Sequence, residues 1–364
     1  MNNNVFDYLD WRGDLTFDID GFNEVDNLVL SVLSYIDFSG VVPTEPGGGQ
    51  ISLAEAERRL TAMSRDRQEL GLIIPDQTCD FMKRAAKTPR FSEIMLCSYV
   101  DKIDPTLGIQ FSAVTFLLPD RTLFIAFRGT DDTLVGWKEN FNMSFAAPVP
   151  AQVSALDYLI DIAHARRGKI RVGGHSKGGN LAIWAAVNAP ARIQRRIIAA
   201  YNNDGPGFEE RITEKPEYKA IEERLFTFVP ESSVVGMLLE HSESYMIVKS
   251  FQNTLWQHDP FSWVIRGREF IKTDDRSSFS KHTDRVLGEW IASMSYEERR
   301  HATDVLFEVL ESTGAKTLSD LNASKAKNLT SIIRSINHID KNTRDKLSEL
   351  VRRLFEFDRI FEWK

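Results

Sequence analysis

Gly174-His175-Ser176-Lys177-Gly178, running on through Gly179-Asn180-Leu181-Ala182, is the stretch from which the rest of the chain can be read. It fits G-x-S-x-G, the nucleophile elbow, in which a serine sits on a sharp turn between a strand and a helix. Small residues on either side let the backbone bend tightly and let a substrate come close. The flanks agree with that geometry. Residues 168–173 read as a short buried strand, and residues 180–187 as a helix with apolar side chains at helical spacing. A Gly-rich strand-to-helix turn also binds phosphate at the helix N-terminus. Against that alternative, the chain lacks the G-x-x-x-x-G-K-[ST] and G-x-G-x-x-G spacings.

Outward from the elbow, strands alternate with helices. Residues 110–118 and 122–127 read as strands joined by the turn Pro119-Asp120-Arg121, and residues 154–164 as the helix that leads to the elbow strand. Beyond the elbow helix, a strand at 196–201 runs into Asn202-Asn203-Asp204-Gly205-Pro206-Gly207-Phe208. A strand at 225–229 ends in Pro230-Glu231-Ser232-Ser233. The strand at 245–249 is the last, and a loop through Gln257-His258-Asp259-Pro260 follows it. Upstream lie an apolar helical run at 25–38, a loop at 42–50, an amphipathic helix at 52–70 with Ser52 as its N-cap, and a helix at 79–87. From residue 283 the pattern is helical only. The expected architecture is α/β, a mostly parallel sheet with helices on both faces. Residues 1–282 form the α/β unit, with a helical N-terminal segment at 1–90, and residues 283–364 form a helical C-terminal extension.

Composition narrows the class. The chain has 364 residues, 42% of them hydrophobic, enough for one large α/β domain and an appendage. Its net charge of −7 is spread along the chain, which leaves no nucleic-acid footprint. Two cysteines, Cys79 and Cys97, suggest buried thiols rather than a disulfide framework or a zinc site, and no cofactor or metal is called for. The first residues carry neither a basic nor an apolar leader segment, and no apolar run approaches the roughly 18 residues a transmembrane helix needs. A cytoplasmic protein is expected; oligomeric state is not encoded in any pattern.

A serine hydroxyl needs a histidine to take its proton and a carboxylate to orient that histidine. In this fold the chain order is serine, acid, histidine. Of seven histidines, His164 and His175 come too early, and His301 and His338 fall in the C-terminal helices. His258 follows the final strand, among Trp256, Pro260, Phe261 and Trp263, which would wall off water. It is taken as the base, ahead of His241 and His282. Two carboxylates end strands at the sheet's carboxyl edge, where sites of open α/β folds collect. The usual acid position favours Glu231; the tight Asn-Asn-Asp-Gly-Pro-Gly turn favours Asp204, which is taken first. Asp259 reads as a local cap. An oxyanion needs two aligned donors. The N–H of Lys177 supplies one, and the loop Phe127-Arg128-Gly129-Thr130 supplies the other through its backbone and the Thr130 hydroxyl. Arg128 otherwise reads as an ion-pair partner of Asp131 or Asp132.

Residues 124–130 with Trp137, and Gly-His-Ser-Lys-Gly-Gly at 174–179, resemble the two signature blocks of the class-three, fungal-type lipases. Adding Asn-Asn-Asp-Gly-Pro-Gly-Phe, Val-Gly-Met-Leu-Leu-Glu (235–240) and Gln-His-Asp-Pro-Phe-Ser-Trp, the chain resembles the bacterial Mbeg-like hydrolases over residues 5–270. The resemblance implies an α/β-hydrolase fold and an Arg-Gly-Thr loop that donates to the oxyanion. It names no substrate. Lipases of this class usually carry Asp after the strand that here ends in Glu231. Two functions then stand side by side: a serine hydrolase acting on a small-molecule or lipid ester, thioester or other acyl group, and a non-catalytic scaffold of the same fold whose helical C-terminal third binds a partner.

Overall fold

The structure is a computed structural model. It describes residues 3–320, apart from 66–67, 69–76, 132, 144–146, 234, 238–242, 279, 283–284, 287–288, 290–292 and 318–319, and beyond that only 341, 344 and 345. His241, His338, the end of the helix expected to reach residue 70, residues 238–240 of the Val-Gly-Met-Leu-Leu-Glu motif and most of the C-terminal extension lie outside the described residues.

Helix α1 (Val5–Arg12) and helix α2 (Glu24–Leu33) open the chain, each capped by an asparagine, Asn4 and Asn23, whose side chain accepts from the first-turn backbone. The first strand, β1 (Ile51–Ser52), leads into α3 (Leu53–Ala62), where Ser52 caps the helix by accepting from Glu55 N at 3.2 Å. Then come α4 (Thr78–Ala85), the strands β2 (Met95–Asp104), β3 (Ile109–Leu117) and β4 (Leu123–Phe127), and the helices α5 (Leu134–Met143) and α6 (Pro150–Ala165). Strand β5 (Ile170–His175) enters the elbow and α7 (Lys177–Asn188) leaves it. Strands β6 (Ile197–Asn203), β7 (Leu225–Pro230), β8 (Tyr245–Val248), β9 (Ile265–Arg266), β10 (Glu269–Phe270) and β11 (Lys272–Thr273) follow, and then a helix at Tyr296–Glu311.

Among the described residues the main sheet runs β1-β2-β3-β4-β5-β6-β7-β8-β11. The five strands from β4 to β8 are mutually parallel, while β1 to β4 and the β8–β11 edge are antiparallel. The sheet is therefore mixed, not mostly parallel as the sequence suggested. The unread strand β2 accounts for much of the difference. Its second half carries Asp101, Lys102 and Asp104, is only partly buried, and has a register break between Cys97 and Val100, so no clean alternation marks it. Nor is β8 the last strand, since β9 to β11 follow it.

Alternation along β4 shows how the sheet buries both faces. Phe124 and Ala126 point into one core with Val25, Leu28 and Val29 of α2. Leu123, Ile125 and Phe127 point into the other with Leu159 of α6 and Leu181 and Ile183 of α7. The elbow thus rests on a sheet packed from both sides, with its serine at the carboxyl end of a central strand.

Candidate active site

Ser176 has φ +57° and ψ −134°, a backbone conformation that a non-glycine residue adopts only under external constraint. The constraint is visible. Ser176 N donates to Asn203 O at 2.9 Å, Gly179 N donates to Ser176 O at 2.9 Å, and Asn203 Nδ2 donates to Gly174 O at 2.9 Å. The following helix packs so closely that a Cβ on Gly178 would overlap the Phe127 carbonyl oxygen. Glycine is required there by contact, which is why the sequence motif is legible.

Asn180, one turn into α7, ties the next loop to the elbow. Its Nδ2 donates to Pro206 O and Gly207 O, both at 3.0 Å, and its Oδ1 accepts from Gln152 Nε2 at 2.8 Å. That loop carries Asp204, itself at φ +55° and fully buried. Asp204 Oδ2 lies 2.6 Å from His258 Nδ1, and Oδ1 accepts from the Ser233 hydroxyl. The Ser233 oxygen in turn accepts from Gly236 N at 3.0 Å. So the loop after β7 delivers not its carboxylate but its second serine. Among the described residues the Glu231 side chain makes no hydrogen bond or ion pair, and the carboxylate that meets the His258 ring is that of Asp204.

His258 ends the turn at Thr254–His258, and Asp259 caps the next one by accepting from Phe261 N at 2.9 Å. Burial pushes the Asp259 carboxyl up to about 6. Pro260, Phe261 and Trp263 are buried, but Trp256 is 72% exposed, so it faces solvent and does not wall the site as expected. His282, the other described alternative base, sits against the Arg285 guanidinium at 3.3 Å.

His175 locks the His258 loop to the elbow. Its Nε2 lies 2.8 Å from the His258 carbonyl oxygen, which can only accept, so Nε2 carries the proton. Nδ1 then accepts from the Tyr35 hydroxyl at 3.0 Å. The two imidazoles lie 4.6 Å apart. Burial first, and the neighbouring His258 second, push the His175 pKa well below the usual histidine value. Among the described residues, neither Ser176 Oγ nor His258 Nε2 makes a hydrogen bond. Such a contact is commonly loose until substrate is bound.

The loop after β4 stands beside the elbow, where a Cβ on Gly129 would strike the Tyr35 hydroxyl and His175 O. Arg128 is held by Asp101 at 2.8 Å and by Asp131 at 3.5 Å. Asp101, on the strand not read from the sequence, is its closer partner. Thr130 is buried, and its hydroxyl oxygen accepts from Asn140 Nδ2. Lys177 opens α7, so its N–H belongs to the first turn, which has no intrahelical acceptor. Its side chain is fully buried and bonds Glu139 and Gln110. A cleft of about 870 Å³ opens nearby, between the β2–β3 hairpin, α5 and the helix Tyr296–Glu311; none of Ser176, Asp204 or His258 lines it.

Tyr35, Glu139, Asn140 and Ser233 carry this arrangement and were not singled out in the sequence. Ser233 sits in the loop already quoted, but nothing marks a lone serine as a donor to a distant acid. With the site described, one comparison decides the family. The profile described as Mbeg1-like matches residues 85–308, more than half of the chain.

The chain belongs to the Mbeg1-like family.

No curated protein matches it. The family match spans every element that builds the site except α2 and Tyr35 in the turn after it, and it runs into the helix Tyr296–Glu311. No helix among the described residues is long and apolar enough to cross a membrane.

Proposed function

We propose that the protein is a serine hydrolase of the α/β-hydrolase type, related to the class-three lipases, that cleaves an ester or another activated acyl group through an acyl-enzyme. The single observation that carries this is the Asp204–His258 pair at 2.6 Å, set beside a serine held at φ +57° between β5 and α7. Ser176 attacks the acyl carbonyl, and His258 takes the proton from Oγ and returns it to the leaving group. Asp204 orients the imidazole and stabilises its charged form. The N–H of Lys177 and the Thr130 hydroxyl with its loop backbone hold the tetrahedral oxyanion. The hydrolase unit is residues 1–282 and the extension residues 283–364, of which the helix Tyr296–Glu311 docks on α5 through Lys138 and Asp304 at 2.8 Å.

The test is a fluorophosphonate probe together with p-nitrophenyl esters of graded chain length, on wild type and Ser176→Ala. Labelling and turnover that disappear in the variant support a hydrolase. Equal labelling of both, or of neither, leaves a non-catalytic scaffold of the same fold.

A further inference from the structure

Two consecutive residues of α5, Glu139 and Asn140, bond the side chains of the two residues assigned above to the oxyanion, Glu139 the Lys177 ammonium and Asn140 the Thr130 hydroxyl. Glu139 is buried at the inner side of the helix. Its Oε1 accepts from Ala151 N at 2.8 Å, and its Oε2 from Gln110 N at 3.1 Å and Lys177 Nζ at 2.9 Å. The Lys177 ammonium gives its remaining protons to Gln110 O, at 2.6 Å, and to Gln110 Oε1. Every proton of the ammonium and both oxygens of the carboxylate are used, and acyl transfer calls on neither group. A buried ion pair of this kind adds little stability over apolar side chains of the same volume; its best-attested use is to fix a register.

Asn140 takes the other side. Its Nδ2 donates to Thr130 Oγ1. A hydroxyl has one proton and two lone pairs. Because this oxygen accepts from Asn140, its own proton is left to point elsewhere. Packing reinforces the contact, since a Cβ on Gly136, one turn before Asn140, would meet Thr130 Cγ2 at 3.1 Å. Oxyanion donors act only when aligned before the reaction, and a shift of about 1 Å can cost about a hundredfold.

Resting on the serine-hydrolase reading, we propose that Glu139 and Asn140 are positioning residues. Through one helix they hold the Lys177 peptide and the Thr130 hydroxyl at the separation the oxyanion requires. Glu139 faces three donors, so a glutamine there turns its amide against at least one of them and shifts α5 relative to the elbow. Asn140→Leu keeps the shape and removes the bond to Thr130.

The experiment compares wild type, Glu139→Gln and Asn140→Leu, each checked for native circular dichroism. The readouts are kcat and KM for a p-nitrophenyl ester and Ki for a trifluoromethyl ketone, whose serine adduct carries an oxyanion. Each variant should lower kcat by about tenfold or more and raise Ki by a similar factor, with KM within about threefold, because only the transition state meets the displaced donors. A merely structural role would not move Ki and kcat together in a folded protein. If Glu139→Gln does not fold, Asn140→Leu on the less buried side decides. A folded variant with kcat and Ki within about twofold of wild type overturns the proposal, as does a rise in KM alone. Wild type that neither turns over an ester nor takes a fluorophosphonate brings down the hydrolase reading and this proposal with it. Wild type that does both, matched by its variants, brings down only the proposal.

Discussion

Asp204 Oδ2 lies 2.6 Å from His258 Nδ1, and the carboxylate comes from the loop after β6 rather than the loop after β7. The displacement is possible because the two loops meet. Ser233, from the later loop, donates to the second oxygen of the same carboxylate. The loop in the usual acid position thus supports the acid without containing it.

Asp204→Asn should therefore cost on the order of 10⁴ in turnover, because an amide at this position favours the wrong imidazole tautomer. Glu231→Gln should stay within about twofold of wild type. Steady-state hydrolysis of one p-nitrophenyl ester by the two variants checks this, and the reverse ranking would return the acid to the later loop.

Ser176→Ala should lower turnover by about 10⁶ and shift the melting temperature by less than about 2 °C, since among the described residues Oγ makes no hydrogen bond and its loss leaves no buried group unpaired. The strain at φ +57° persists in alanine and is relieved in glycine, so Ser176→Gly should melt at or above Ser176→Ala while remaining inactive. Adding His258→Ala to Ser176→Ala should lower activity no further, because the two act as a unit. A double variant much slower than either single would mean the two residues act independently.

What the sequence made legible is what short-range sterics demand. The glycines at 174, 178 and 179 are needed because strand and helix nearly touch, and Asp204 stands out because a turn of small residues surrounds it. The parallel strands β5 to β8 are apolar runs bounded by turn residues, which single-sequence patterning detects. Long-range polar pairing leaves no such trace. Lys177 and Glu139 are 38 positions apart, and Tyr35 and His175 are 140 apart. Each is an ordinary residue of a helix or turn until the sheet brings it to its partner. Strand β2 was missed for a related reason. Its charged half pairs with β3 while Asp101 reaches Arg128, a contact no periodicity announces.

Arg90 and Asp26 form an ion pair with both side chains fully buried, at 2.6 Å. Asp26 also accepts from Tyr8 OH and Asn23 N, and Arg90 also donates to Leu15 O and Asp20 O. Arg90→Met strands a buried carboxylate and should cost about 3–5 kcal/mol in urea unfolding. Arg90→Met/Asp26→Asn removes the charge but keeps an acceptor for Tyr8 or Asn23, and should recover about half of that loss. A double variant less stable than Arg90→Met would show that packing, not the stranded charge, dominates.

His175 makes stability depend on pH. In the unfolded chain its imidazole titrates near the usual value of about 6.5, and in the folded protein burial and His258 hold it well below that. Between those two values the unfolded chain binds more protons, so stability rises with pH there. The contribution is whole above about pH 6.5 and is lost as pH falls, by at most about 1.4 kcal/mol per unit. Asp259, raised to about 6, works in the opposite sense. Its neutral form is favoured by folding, so its contribution falls as pH rises from the usual carboxyl range through 6. Subtracting a variant isolates the histidine. His175→Gln keeps a donor where Nε2 meets the His258 carbonyl but cannot titrate. Wild type and His175→Gln should differ by a slope that appears below pH 6.5 and vanishes above it in urea unfolding. His175→Leu removes the same slope but also frees the base loop, so its kcat should fall by about tenfold or more while His175→Gln keeps most of its activity. Parallel pH curves for wild type and both variants would mean that His175 titrates alike in the folded and unfolded chain, contrary to the lowering by burial.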